Sequence, residues 1–298
     1  MILRVGENPE ITGRIFSQYF ELSDGARLTE DEKNIFMPSL ISVMQKLHCV
    51  NYHRENYVRI EIERLQIAHA LATRDPNVAR TELELLCELQ GFLFQIKSSL
   101  DILVKSLRVI PNMQVGIRTF SNRGKDLIKG LECYKRSKTA NIRAADRLIK
   151  LLKSFTACFD EIIGHRDELN HAKTLDDYFF VFNAQNLQEF NPPFFKGRAP
   201  VEYINECYQK ILLFHQDFIS CVLVFFMPVD VVLQEVVEYE NNQEIPVVDR
   251  YLRWKLLPRD RIKSDTQIPI EAVQEVFAKR NSMSDVFEFL RQNAAAPR

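Results

Sequence analysis

The chain has 298 residues, 46% of them hydrophobic and 27% charged, and its 39 basic and 40 acidic side chains leave a net charge of −1. It is long enough to bury a substantial core, with the balance of an ordinary soluble globular protein rather than a disordered or fibrous one. Only nine residues are Gly, which disfavours a turn-rich all-β fold, and no GxGxxG or GxxxxGK phosphate loop is present.

The six Cys residues (Cys49, Cys87, Cys133, Cys158, Cys207 and Cys221) form no CxxC pair and have no His at zinc-finger spacing. Most fall in apolar helical contexts, where a free thiol behaves as a small hydrophobe. This usage points to a reducing, cytoplasmic compartment. Residues 1–5 are too short an apolar stretch for a signal peptide. The most apolar run, residues 218–229, is flanked by Asp217 and Asp230. It falls short of the roughly 20 residues a bilayer span needs, so it reads as buried core and no membrane partner is expected.

Charge is unevenly distributed. Residues 117–153 carry 11 basic and 3 acidic side chains, whereas residues 154–298 carry 15 and 22. A concentration of positive charge on a near-neutral chain is the kind of field that attracts a polyanion, although a solvated helix face has the same composition.

In chain order, the first 27 residues show no strong period, with a short candidate strand at residues 2–5. Thr29, Glu30, Asp31 and Glu32 form a capping-box pattern that opens a helix with Ile35, Leu40, Val43 and Leu47 on its apolar side. A second helix is expected over residues 55–73, and Asp75-Pro76 breaks it. Leu86, Leu89, Leu93, Ile96, Leu100, Leu103 and Leu107 then step 3-4-3-4-3-4, a seam about three heptads long that Pro111 ends.

After a connection at residues 111–122 a basic helix is expected over 123–136. From Asn141 the seam returns in Ile142, Ala145, Ile149, Leu152, Thr156, Phe159 and Ile163, with Arg143, Arg147, Lys150 and Lys153 off it. Residues 178–182 are an aromatic run, and Asn191-Pro192-Pro193 and Gly197 mark a loop. A further long helix is expected over residues 200–226, its stripe formed by Val201, Ile204, Tyr208, Ile211, His215, Phe218, Val222 and Phe225.

Three apolar stripes at one period cannot each be buried alone, so they imply an antiparallel bundle. Beyond Pro228 the period changes to two. Residues 229–239 and 247–257, separated by 240–243, read as a hairpin, and a last helix is expected from about Ile270. The expected fold is mainly α: an antiparallel helical bundle with a small C-terminal β-hairpin and flanking helices. Its divisions are an N-terminal helical region at 1–79, the bundle at 80–226 with a basic insert at 111–140, and a C-terminal part at 227–298.

The stretch from Gly164 to His171 gathers His165, Arg166, Asp167, Glu168 and His171. In a helix, Asp167 and His171 are four residues apart and share a face, so the carboxylate could orient the imidazole. Arg166 lies five residues from His171, roughly 140° round the helix. It reaches the same substrate only through its long side chain, a non-helical start at Gly164, or a second subunit. An imidazole and a guanidinium suffice for metal-free RNA cleavage. The imidazole takes the ribose 2′-OH proton, the oxygen attacks phosphorus, and the guanidinium steadies the phosphoryl charge. Spacing alone is unspecific, since Arg64 and His69 share it.

The motif Arg166-Asp167-Glu168-Leu169-Asn170-His171 and the helix containing residues 88–101 together resemble the HEPN superfamily (higher eukaryotes and prokaryotes nucleotide-binding), over about residues 80–226. The resemblance implies an all-α fold that pairs as a homodimer with the site at the interface. It also implies a metal-independent endoribonuclease of the toxin–antitoxin or antiviral-defence kind, needing no cofactor. Arg166 and His171 would be the catalytic pair, Asp167 their polar support, and Asp101 an acidic partner. RNA would be held by Arg123, Lys125, Lys129, Arg143, Arg147 and Lys150, and an antitoxin or other system protein would be a further partner. The alternatives are a non-catalytic HEPN nucleotide- or protein-binding module and a purely structural helical adaptor.

The remaining groups read more simply. His165 falls on another helix face and His215 on the apolar stripe, as a hydrogen-bonded core residue. Glu61/Glu63 and Asp176/Asp177 read as solvated. His48, Cys49 and His53 are irregularly spaced for a metal. Tyr251 and Trp254 alternate with Arg250, Arg253 and Lys255, a pattern that a nucleic-acid-stacking strand or a half-buried hairpin would both produce.

Overall fold

Helices dominate the chain, and the fold is mainly α with a small antiparallel sheet in its C-terminal part. The structure, a computed structural model, describes residues 11–72, 79–81, 83–110, 113, 119–171, 178–179, 181–186, 189–191, 194–228, 230–240, 243–245, 253–258 and 267–269. The candidate strand at 2–5 and the last expected helix, from about Ile270, lie outside them.

The N-terminal region is helical where the sequence shows no period: a π-helical stretch at Thr12–Ser17 leads into α1 (Gln18–Gly25). Its burial explains why no stripe is visible, since polar Arg14 and Gln18 are buried along with Ile11, Ile15 and Tyr19. Helix α2 (Glu30–Ala72) starts where the capping box puts it. The Thr29 backbone N–H donates to Glu32 Oε2 at 2.7 Å, and the Glu32 N–H donates to Thr29 Oγ1 at 3.3 Å. The two expected helices over this region are one helix, with Pro38 inside it. Leu40, Val43 and Leu47 are buried, but Ile35 is 44% exposed.

β1 (Ala79–Thr81) precedes α3 (Leu83–Leu103), which runs into a 3-10 turn at Val104–Val109. The leucine seam is buried as expected, apart from Leu86, which is partly buried. Each fully buried side chain of this kind contributes about 1.5–3 kcal/mol relative to exposure. α2 and α3 pack antiparallel, since Lys46 bonds Gln95, His53 bonds Glu88 and Arg64 bonds Glu84.

A 3-10 turn at Ser121–Gly124 leads to α4 (Lys125–Tyr134), then α5 (Ile142–Ser154) and α6 (Thr156–His171). The second seam is therefore broken at Phe155 (φ −97°, ψ 3°), and its first member, Ile142, is 50% exposed. The break turns the Phe155 ring into an aromatic cluster, 6.1 Å from Phe159 and 5.1 Å from Phe214 between centroids. Phe120 joins it edge-on, 4.8 Å from Phe159, a geometry that the ring quadrupoles favour.

Short strands β2 (Tyr178–Phe179), β3 (Val181–Asn186), β4 (Glu189–Asn191) and β5 (Phe194–Phe195) follow. β3 pairs antiparallel with β1 and β4, and β2 pairs with β5. Pro200 then opens α7 (Pro200–Val224), with the expected stripe buried except for the partly buried Val201 and Phe225. One continuous hydrophobic cluster runs from Ile11 to Trp254.

In the C-terminal part, β6 (Val231–Glu235) pairs antiparallel with β9 (Trp254–Pro258), matching Val231 to Pro258 and Glu235 to Trp254. β7 (Val237–Glu240) pairs antiparallel with β8 (Gln243–Glu244), so that Glu240 and Gln243, expected in the connection, belong to strands, and it also pairs parallel with β10 (Gln267–Pro269). The expected single hairpin is thus divided: its inner end closes on itself, while its outer ladder is offset.

Candidate functional site

Helix α6 carries the Gly164–His171 stretch and is unbroken to its last residue. Gly164 therefore provides no non-helical start. A Cβ built there would meet only the Arg123 Nη2, at 3.8 Å. Arg123 reaches this helix because its own backbone lies in the left-handed region (φ 55°), between Asn122 (φ 46°) and Gly124 (φ 83°). Its guanidinium pairs with Asp160 at 3.0 Å. Arg123, expected to meet RNA, is thus tied to the site helix while its side chain stays 39% exposed.

Arg166 is partly buried. Its Nε donates to Asp167 Oδ1 at 3.0 Å, a second guanidinium nitrogen binds the same oxygen, and its Cζ stands 5.9 Å from the centre of the Phe94 ring on α3. Five residues along an unbroken helix set the positions of Arg166 and His171 roughly 140° apart round its axis. Asp167 and His171 are one turn apart and share a face. The His171 side chain lies outside the described residues, as do Asp176 and Asp177.

Asp101 is occupied elsewhere. Its Oδ1 accepts from Lys97 Nζ at 2.5 Å and from the Phe120 backbone N–H at 2.6 Å, anchoring the segment that enters the aromatic cluster. The structure does not bring it to Arg166. Of the other basic residues, Lys125, Lys129, Arg143, Arg147 and Lys150 are exposed on α4 and α5. Lys129 lies 4.0 Å from Asp126.

His165 is partly buried. Its Nδ1 is 2.9 Å from the Tyr203 hydroxyl, and its ring meets Phe195 edge-on with centroids 5.0 Å apart. Burial holds its pKa below the usual imidazole value, against the opposing pull of Glu161 and Glu168. Glu161, His165 and Glu168 form one stripe of α6, and their partners lie within residues 195–203, which lead into and open α7. Glu161 pairs with Arg198, and Glu168 pairs with Lys196 at 2.8 Å. Arg198 also pairs with Glu206 at 2.9 Å and lies 4.5 Å over the Tyr203 ring. The i, i+4, i+7 spacing on α6 marks the stripe in sequence, but its partners, 28 to 38 residues downstream, leave no local signal.

Other groups resolve individually. His215 is fully buried and hydrogen-bonded to the Ile211 carbonyl at 2.7 Å, as expected. Glu61, expected to be solvated, is half-buried, and burial pushes its carboxyl up to about 7. His53 binds Glu88 at 2.7 Å, and His48 lies 3.3 Å from Thr12 Oγ1. No group of three or more His, Cys, Asp or Glu side chains among the described residues is placed to hold a metal.

Only Cys207 and Cys221 are buried, whereas Cys87 and Cys133 are exposed, so the thiols are less uniformly internal than their apolar contexts suggest. Trp254 is buried and Arg253 pairs with Asp217 at 3.0 Å; of the two explanations for that alternation, the half-buried hairpin fits and an open stacking strand does not. No helix among the described residues is long and apolar enough to cross a membrane. Comparisons with protein-family models, with curated proteins and with solved structures find no match.

Proposed function

We propose that the chain is a metal-independent endoribonuclease of the HEPN type that works as a pair of identical copies. The observation that carries this reading is the placing of Asp167 one turn before His171 on a single unbroken helix, which follows the exposed basic residues of α4 and α5. The angular separation of Arg166 and His171 supports a paired site, in which the guanidinium of one copy serves the imidazole of the other. His171 takes the 2′-OH proton, the 2′ oxygen bonds to phosphorus, and the bond to the 5′ oxygen breaks. A 2′,3′-cyclic phosphate is left, and the departing oxygen takes up a proton. Arg166 bears the charge that builds on the phosphoryl oxygens.

One observation favours a second reading. Arg166 is already neutralised by Asp167 within its own chain, which suits a non-catalytic HEPN nucleotide- or protein-binding module. The deciding experiment is RNA cleavage in EDTA by the wild type, Arg166→Ala and His171→Ala. The nuclease reading expects each substitution to lower the rate by about 10²-fold or more; equal activity in all three sinks it. Wild-type protein that binds RNA in a salt-dependent way but cuts none supports the second reading.

A further inference from the structure

Arg147 belongs to two structures at once. On α5 it lies in an exposed row with Arg143 and Lys150, spaced i, i+4 and i+7, the row that the proposed function assigns to RNA. Its guanidinium also lies 5.2 Å from the centre of the Trp254 ring, and Trp254 is the only tryptophan in the chain. Trp254 opens β9 and has a second cation, Arg253, 5.3 Å from its ring centre. Arg253 is pinned to Asp217 of α7 at 3.0 Å, and its carbonyl accepts the Val236 N–H at 2.8 Å. The ring is thus held between a cation fixed to the bundle and a cation that faces solvent.

A phosphate bound along the α5 row pulls on the same guanidinium that faces Trp254. Charge-assisted bonds from Arg to phosphate are stronger and more directional than a cation–π contact at a partly exposed site, so Arg147 follows the phosphate. We propose that RNA binding along α5 is coupled, through Arg147, to the seating of the C-terminal strand β9 on the bundle. This rests on the reading that the α5 row binds RNA. Coupling of this kind is reciprocal: loosening β9 by Asp217→Asn releases Arg147 and tightens RNA binding.

The test titrates the full chain with a fluorescently labelled single-stranded RNA. It follows the anisotropy of the label and, with unlabelled RNA, the emission of Trp254. In the wild type, anisotropy and Trp254 emission change together. Arg143→Ala lowers the log–log salt slope by about 0.7 yet shows the full Trp254 change at saturation. Arg147→Ala still binds RNA, more weakly, and its Trp254 emission stays constant. A rise in anisotropy with unchanged wild-type Trp254 emission overturns the coupling and leaves RNA binding standing. A wild-type Trp254 response in Arg147→Ala also overturns it. Flat wild-type anisotropy overturns RNA binding, and the coupling with it.

Discussion

The Arg166 guanidinium binds the carboxylate of the residue that follows it, Asp167, with Nε 3.0 Å from Oδ1. Neighbouring residues on a helix point in different directions, so this contact turns the Arg166 side chain back along its own helix. Asp167 thereby holds the guanidinium while sharing a helix face with His171.

Asp167→Asn is accordingly expected to separate binding from chemistry. Removing a negative charge from the site should tighten RNA binding, while loss of the carboxylate on the His171 face should lower single-turnover cleavage by roughly 10²-fold. Filter binding and single-turnover rates measure the two separately. If neither changes, Asp167 has no part in the site.

The basic residues should sort by their existing partners. Lys150 is exposed on α5, and Lys150→Ala should reduce the salt slope of RNA binding by about 0.7. Arg123 already pairs with Asp160, so Arg123→Ala should leave the slope unchanged and instead lower thermal stability. An unchanged slope for Lys150→Ala would remove α5 from the RNA surface.

Gly91 marks a close approach of α2 and α3. A Cβ there would lie 2.5 Å from Cε1 of His53, whose ring is held by Glu88 at 2.7 Å. Gly91→Ala must displace the ring and break that bond, at a cost of about 1–3 kcal/mol. A urea unfolding curve measures this; a variant as stable as the wild type would show that His53 moves aside freely.

Acid should destabilise the fold through His215. Burial pushes its pKa down from 6.5 to about 4, so the folded state resists a proton that the unfolded chain accepts. The stability it contributes is complete above the unfolded pKa and is lost as pH falls from about 6.5 towards 4, by about 2 kcal/mol at pH ~5. Asp217 works in the other direction: burial raises its carboxyl to about 6, so its contribution grows as pH falls through that value. Unfolding free energies at pH ~7.5 and pH ~5, for the wild type and His215→Asn, isolate the histidine term because Asp217 is common to both. Equal pH dependence in the two proteins would rule out His215 as the cause.

How much of this was legible in the sequence varies with the range of the interactions. The α3 seam, the Thr29 capping box, the core role of His215 and the Pro200 start of α7 all follow from residues within a few positions of each other. The region around residues 48–55 misleads for a related reason. Asn51, His53, Arg54 and Glu55 interrupt the apolar pattern of α2, but His53 pairs with Glu88 and the Arg54 guanidinium lies over the Tyr208 ring, 4.3 Å from its centre. A helix can pass through a polar stretch when distant elements supply the partners.

The sequence by itself determined a helical protein with three apolar stripes, a basic segment before the candidate motif, and the placing of Asp167 one turn from His171. These are consequences of helical periodicity, which is local. Only the tertiary structure decided which charges are already used. It assigned Arg123 to Asp160, Asp101 to Lys97 and the Phe120 N–H, and the Glu161–His165–Glu168 stripe to Arg198, Tyr203 and Lys196. The physical reason is that whether a charged side chain is available to a ligand depends on the partners packing brings to it, and most of these lie a dozen or more residues away.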